Sequence, residues 1–254
     1  MRIMSFNILC FGNEELNHNW ERRIPLVVRT IRNADPDSFG VQEATPEWMA
    51  ALKACFPEYE CIGVGRDDGA NKGEYSAVFY KTENYTSSEN GTFWLSETPD
   101  KPGMGWDAVC PRICSYALLE DKATGKKFVH FNTHLDHKGA VAMQKGAELV
   151  VKKANELYPD LTAFFTGDFN VTPDSAPCKA VKDGGFTDCR DIAETTDKGI
   201  TFHAFMTREE YEGTVIDYVF KKGDVKVKNF TVIRDTVDGE MPSDHYPVYA
   251  DIEF

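Results

Sequence analysis

The stretch that most constrains this chain is 161–170, Leu-Thr-Ala-Phe-Phe-Thr-Gly-Asp-Phe-Asn. Residues 161–165 form a short apolar run bounded by turn formers, which predicts a buried strand. Gly167 then lets the backbone bend, and Asp168 and Asn170 follow two positions apart. If strand geometry continues through them, both side chains leave the same face of a sheet. A carboxylate and an amide at the mouth of a strand can orient a water and hold a phosphate oxygen or a metal ion. An Asx-rich turn uses the same residue types, so the remaining segments decide.

Those segments repeat the arrangement. Residues 1–7 read as a strand ending in Asn7, and 39–43 as a strand ending in Glu43. Further strands are predicted at 76–80, 113–119, 127–134, 214–220, 225–234 and in the stretch that ends near Phe254. Residues 199–203 read as an edge strand and 186–192 as irregular. Helical spacing of apolar residues predicts helices at 18–33, 46–56, 141–157 and 173–182. Pro25 sits awkwardly in the first, which favours a start there, where its missing N–H costs little. Thr45 before Pro46 makes a good N-cap, so Glu43 falls at a strand-to-helix junction, where open α/β proteins place ligands. The loop 66–73 is polar and Gly-rich, and a long loop runs over 97–107. Trp94 and Trp106 either wall a substrate cleft or pin that long loop to the core. Arg112 either forks onto a phosphate or closes a structural ion pair.

Polar residues thus stand at the ends of several predicted strands: Asn7, Glu43, His134, Asp168, Asn170, Asp217, Asp244 and His245. Asp217 lies inside an apolar run, so it needs a partner or a task. Glu43 and an aspartate can hold a hard divalent cation through oxygen, with water completing the octahedron. Such a cation offsets charge developing on phosphate oxygens. Asp168 can orient or deprotonate the attacking water, while Asn170, His134 and His245 donate hydrogen bonds to a phosphoryl group. A histidine beside carboxylates is expected to be held charged, which suits contact with an anion.

In chain order, Ser5-Phe6-Asn7, Gln42-Glu43, Asn132-Thr133-His134-Leu135, Gly167-Asp168-Phe169-Asn170, Ile216-Asp217-Tyr218 and Ser243-Asp244-His245-Tyr246-Pro247-Val248 carry a resemblance. The chain resembles the endonuclease/exonuclease/phosphatase family, which includes deoxyribonuclease I, apurinic endonucleases, deadenylases and inositol polyphosphate 5-phosphatases. The resemblance implies an α/β fold of four layers, α/β/β/α, with two mostly antiparallel sheets face to face and helices outside. It implies Mg²⁺-dependent phosphoester hydrolysis, with Mn²⁺ as a substitute. By position, Glu43 and Asp244 become metal ligands with Asn7 beside them. Asp168 positions the nucleophilic water, and Asn170 and His134 contact the phosphate. His245 binds or protonates at the phosphoryl centre, steadied by Asp217. The segment 94–112 resembles a bacterial and fungal branch of the family. Apurinic endonucleases carry an acidic residue two positions after the first Asn, where this chain has Leu9, and an active-site tyrosine where it has His134. Both departures tell against abasic-site repair.

Composition narrows the partners. A length of 254 residues suits one large domain, and the net charge of −13 leaves no basic stripe for tight binding of duplex DNA. The expected substrate is a phosphorylated small molecule or a single-stranded nucleic acid, and the expected state a monomer. No apolar run is long enough to span a bilayer and no leader is visible, so the cytoplasm is the expected compartment. Seven cysteines, without paired metal-ligand spacing, read as reduced thiols. Two other readings stay open. His134-Leu135-Asp136-His137 matches half of a dinuclear zinc signature of metallo-β-lactamase type. A catalytically silent module that binds a phosphate ligand is the other.

Overall fold

Apolar runs as continuous as Ala163, Phe164 and Phe165 need cover on both faces of their sheet. The fold supplies it by stacking two sheets and placing helices on the outer face of each. The computed structural model describes residues 1–11, 19–206 and 213–254. The expected helical start at His18 lies outside them. In chain order the first elements are β1 (Arg2–Asn7), α1 (Trp20–Ala34), β2 (Ser38–Ala44), α2 (Pro46–Cys55), β3 (Tyr59–Ile62) and β4 (Tyr75–Lys81). Then come β5 (Tyr85–Trp94), β6 (Ile113–Asp121), β7 (Lys127–His134), α3 (Ala140–Leu157) and β8 (Thr162–Asp168). The chain continues through α4 (Ala176–Asp183), β9 (Thr187–Asp188), α5 (Cys189–Ile192) and β10 (Thr195–Thr196). It closes with β11 (Asp217–Lys222), β12 (Lys226–Val232) and β13 (Val248–Glu253).

One sheet has seven strands in the order β10-β12-β13-β1-β2-β4-β3, the other six in the order β5-β6-β7-β8-β11-β9. Most pairings are antiparallel; β1 with β2, β7 with β8 and β10 with β12 are parallel. Val27, Ile31, Trp48 and Leu52 of α1 and α2 cover Phe6, Phe39 and Phe79 on the first sheet. Ala147, Val150 and Ala154 of α3, with Val181 of α4, cover Phe131, Phe165 and Phe220 on the second. Phe128, Phe164, Val219, Phe230 and Ala250 meet between the sheets. The result is the expected α/β/β/α sandwich. Among the described residues, no helix is long and apolar enough to cross a membrane.

Period-two alternation organises the inner faces. Along β8, Phe164 joins the apolar core between the sheets, Thr166 enters a buried polar seam, and Asp168 ends the strand. Along β7 the same progression reads Phe128, His130, Asn132, His134, and along β1 it reads Ile3, Ser5, Asn7. Each central strand therefore runs from apolar to polar along one face. In the seam, Gln42 Nε2 donates to Asn132 Oδ1 at 2.7 Å, and Asn132 Nδ2 donates across the sandwich to the carbonyls of Val41 and Ala77. Gly40 makes that crossing possible, since a Cβ there would stand 2.2 Å from Asn132 Oδ1.

Four local expectations meet a different structure. Helix α1 starts at Trp20, capped by Asn19, whose side chain accepts from Arg22 N–H at 3.0 Å. Pro25 lies inside the helix but on its exposed side, so water can satisfy the carbonyl that lacks a partner. Residues 199–203 form no strand; Phe202 makes only isolated bridges to Thr214 and His245. Thr201 Oγ1 accepts from the amides of Ile216 and Asp217, which draws this segment onto strand ends instead of along an edge. The run 214–220 becomes strand only from Asp217, so that residue opens β11 rather than lying within it. The stretch 186–192 carries β9 and α5.

Candidate active site

The polar ends of β1, β2, β7, β8 and β11 meet the loop before β13 at one rim of the sandwich. Asn7 joins the first sheet to the second there: its Nδ2 donates to Glu43 Oε1 at 3.0 Å and to Asp168 Oδ2 at 2.9 Å. Its Oδ1 is turned away and accepts from Leu9 N–H. Asn7 thus meets the carboxylates as their holder, presenting its amide protons to them.

Glu43 reaches the rim through a change of face. Strict alternation along β2 sends Phe39 and Val41 outward to the helices, and Glu43 would follow them. A register shift between Val41 and Ala44, with φ of 60° at Glu43, turns it into the cleft. There its Oε2 accepts from Cys10 N–H at 3.0 Å. Burial pushes the Glu43 carboxyl up, but these hydrogen bonds outweigh it and hold the carboxyl below its ordinary value.

Asp168 is locked on both oxygens, Oδ2 by Asn7 and Oδ1 by the Asn170 amide at 2.8 Å. Asn170 does not continue the strand. It takes a left-handed conformation, φ 55°, which asparagine tolerates. Its side chain turns back to donate to Leu135 O at 3.1 Å and to His134 Nε2 at 2.9 Å. Gly167 lets β8 approach β7 closely here, since a Cβ would lie 2.3 Å from the Thr133 carbonyl. Burial raises the Asp168 carboxyl above its ordinary value, against the opposing charge of His245.

His245 Nδ1 donates to Asp217 Oδ2 at 2.9 Å, which leaves Nε2 facing Asp168 at 3.7 Å and Asp244 at 4.0 Å. Burial opposes a charge on the ring, but Asp217 and Asp168 overcome it and push His245 well above its ordinary value. His134 behaves in the opposite way. Burial and the nearby Arg112 and Arg66 hold it well below its ordinary value, so the expectation of a charged ring holds for His245 and not for His134. Asn170 donating to Nε2 leaves the His134 proton on Nδ1, which is buried without a partner among the described residues.

These groups line a cleft of about 420 Å³, which Glu43, His134, Asp168, Asn170, Asp244 and His245 share. Asp217 stands behind His245. Arg112 reaches the same cleft while only 6 % exposed. Its Nη2 donates to His137 Nδ1 at 3.1 Å, and its Nε lies 3.9 Å from Asp136 Oδ2, so Arg112 closes the structural ion pair that was one of its two expected roles. Trp94 and Trp106 do not line the cleft. Trp94 is buried and donates from Nε1 to Arg66 O at 2.7 Å, and the half-buried Trp106 donates its backbone N–H to Glu97. In their place the cleft has Arg66 and Glu74, which sequence reasoning did not single out, and His137, which it singled out only within the zinc signature. Opposite charges at the two feet of the loop 66–73 are the signal that finds the first two.

The donor set suits a hard divalent cation. Glu43, Asp168 and Asp244 are largely buried carboxylates in one cleft, and among the described residues no lysine or arginine pairs with any of them. Burial raises Asp244, and the charge of Glu43 raises it further, so the cleft carries negative charge that a cation would offset. Glu43, His134 and Asp168 each bring one donor atom within 4.8 Å of the others. In the segment of the zinc signature, Asp136 and His137 bring donor atoms within 4.8 Å of each other and of Cys110, and both also make protein contacts. Asp136 Oδ1 accepts from the amides of Lys138 and Gly139 at the entrance of α3, and His137 accepts from Arg112.

Residues 4–245 match the model of the Endonuclease/Exonuclease/phosphatase family. A mannosyl-6-phosphatase of Bacteroides thetaiotaomicron is 36% identical, with 100% of each chain covered and a TM-score of 0.93. A protein from Bacteroides vulgatus described as an endonuclease/exonuclease/phosphatase is 38% identical, covering 100% of this chain and 98% of that one at a TM-score of 0.94. An uncharacterised protein of Acanthamoeba polyphaga mimivirus is 24% identical over 98% of both chains.

Proposed function

The chain belongs to the endonuclease/exonuclease/phosphatase family and hydrolyses phosphoester bonds, and from that premise we propose a divalent-metal-dependent phosphatase of a small phosphorylated molecule. The observation that carries this reading is the meeting of Glu43, Asp168, Asp244, Asn170, His134 and His245 in one cleft, from segments far apart in the chain. The small substrate is supported by the full-length likeness to the mannosyl-6-phosphatase, by the acidic net charge and by a cleft of about 420 Å³.

Glu43 and Asp244 would hold Mg²⁺, with Mn²⁺ as a substitute. When bound, the cation offsets negative charge on the phosphoryl oxygens and on the leaving oxygen. Asp168 orients the attacking water and takes its proton. Its two anchored oxygens fix its direction, and burial raises its basicity. Attack is in line, opposite the leaving alcohol. His245, held charged by Asp217, donates from Nε2 to a phosphoryl oxygen whose charge grows in the transition state. Asn170 holds His134 on the phosphate side of the cleft. Arg112, held in the cleft wall by Asp136 and His137, adds positive charge beside the phosphoryl site.

The test is a Mg²⁺-supplemented screen of sugar phosphates, p-nitrophenyl phosphate, nucleotide diesters, phosphoinositides, RNA and single-stranded DNA, with Asp168→Asn as the blank. Release of inorganic phosphate from small monoesters is expected. Cleavage confined to diesters or nucleic acid would overturn the substrate assignment. Binding without turnover across the panel would favour the silent module.

A further inference from the structure

The cleft has a second set of polar groups that the reaction above does not use. Arg66 and Glu74 close the feet of their loop twice, through Arg66 N–H to Glu74 O at 3.1 Å and through a two-pronged ion pair at 2.8 and 2.9 Å. Trp94 clamps this loop from behind. Its indole N–H holds Arg66 O at 2.7 Å, and Gly69 lies so near its ring that a Cβ would come within 3.0 Å. The Glu74 carboxylate is therefore fixed in the cleft wall. Each of its oxygens takes one N–H from Arg66 and retains a further acceptor position.

His137 complements it. A guanidinium has no acceptor, so the contact from Arg112 Nη2 makes His137 Nδ1 the acceptor and leaves the ring proton on Nε2. Burial and the Arg112 charge push His137 below its ordinary value, so the ring is a neutral donor. The residue is exposed and lines the cleft, so this N–H meets whatever enters. The wall thus offers one acceptor and one donor beside the residues assigned to the phosphoryl group. A hydroxyl group can answer both. An apolar alcohol would cover the remaining acceptor positions of Glu74 and the His137 N–H without filling them, which costs more than the contact gains.

We infer that Glu74 and His137 read hydroxyl groups on the leaving alcohol, so that the preferred substrate is the phosphate monoester of a sugar or similar polyol. This rests on the phosphatase reading above. Arg66 and Trp94 act as positioning residues, holding Glu74 in place.

The experiment compares kcat/KM for mannose 6-phosphate and for p-nitrophenyl phosphate, which has no hydroxyl on its leaving group, in wild type, Glu74→Gln and His137→Phe with Mg²⁺ present. In each variant the sugar-to-aryl ratio should fall about tenfold or more, the scale of one lost hydrogen bond to a charged or fixed group. A parallel fall for both substrates, with the ratio unchanged, would mean a structural role and overturn the inference. Thermal unfolding checks that the variants fold; if Glu74→Gln does not, His137→Phe carries the test. A wild type active on the aryl ester but on no hexose phosphate overturns this inference and leaves the phosphatase standing. A wild type inert on every phosphomonoester overturns both.

Discussion

His130 in the seam and His245 in the cleft are both out of solvent between the same two sheets, yet their rings hold opposite charge states. Around His130 the partners are hydroxyls: Ser38 Oγ at 2.7 Å and Thr166 Oγ1 at 2.8 Å. Ser38 donates its own proton to Phe79 O, so it accepts from His130 Nδ1–H, while Thr166 Oγ1 divides its one proton between His130 Nε2 and Asn132 Oδ1. Neither hydroxyl carries a charge to offset a protonated ring, and burial pushes its pKa down to about 3. Around His245 the partners are Asp217, Asp168 and Asp244, and the ring is charged. Burial penalises both cations alike, so the partners decide the charge. The partners in turn depend on how far along the strands each ring lies. Before the strands end, the side chains are neutral and close the seam; at their ends they are acidic and build a reactive site.

The most severe way to break this contrast is to chelate divalent ions, which should abolish phosphate release while the protein stays folded. Activity that survives exhaustive chelation would leave the acidic cleft without its purpose. Next, Asp168→Asn and His245→Ala should each lower kcat by about 10²–10⁴-fold with little change in melting temperature. A near-normal rate in either variant would remove that residue from the reaction.

The seam should respond in stability. His130→Leu removes both hydroxyl contacts and should cost about 1–3 kcal/mol in urea unfolding. A loss of turnover as large as that of Asp168→Asn would dissolve the distinction between the two regions. The sign of the pH response sharpens it further. His130 has a folded pKa below the ordinary 6.5, so its contribution is present above that value and lost as pH falls towards about 3. Below about pH 6, the stability advantage of wild type over His130→Leu should shrink by about 1.4 kcal/mol per pH unit. His245 has a raised folded pKa, so its contribution is present below the ordinary value and lost as pH rises through the raised one. An advantage of wild type over His130→Leu that grows on acidification would mean that the seam histidine is charged. The smallest effect is expected from Trp106→Ala, which lies off both regions and should change kcat/KM by about twofold or less.

The inner-face progression explains why so much was legible. Apolar runs gave β7 and α3 nearly to the residue, and a polar residue closing each run marked Asn7, His134 and Asp168, because side chains alternate strictly along a strand. Glu43 was found by its place at a strand end, although alternation alone points it at the helices. The backbone irregularity at Val41 to Ala44 has no sequence signature that local spacing can read. Trp94 looked like a cleft wall because an aromatic beside a long loop is compatible with either face. Its partner, the carbonyl of Arg66, lies 28 residues away.

By itself the sequence determined most of the central strands, their apolar faces, and which acids, amides and imidazoles stand at their ends, since these follow from periods of two and 3.6 in neighbouring residues. The tertiary structure alone decided the charge of each histidine, the inward turn of Glu43, and the joining of Arg66, Glu74, Arg112 and His137 into one wall. Those properties depend on which distant groups become neighbours in a medium of low dielectric, where a single carboxylate or guanidinium outweighs anything encoded locally.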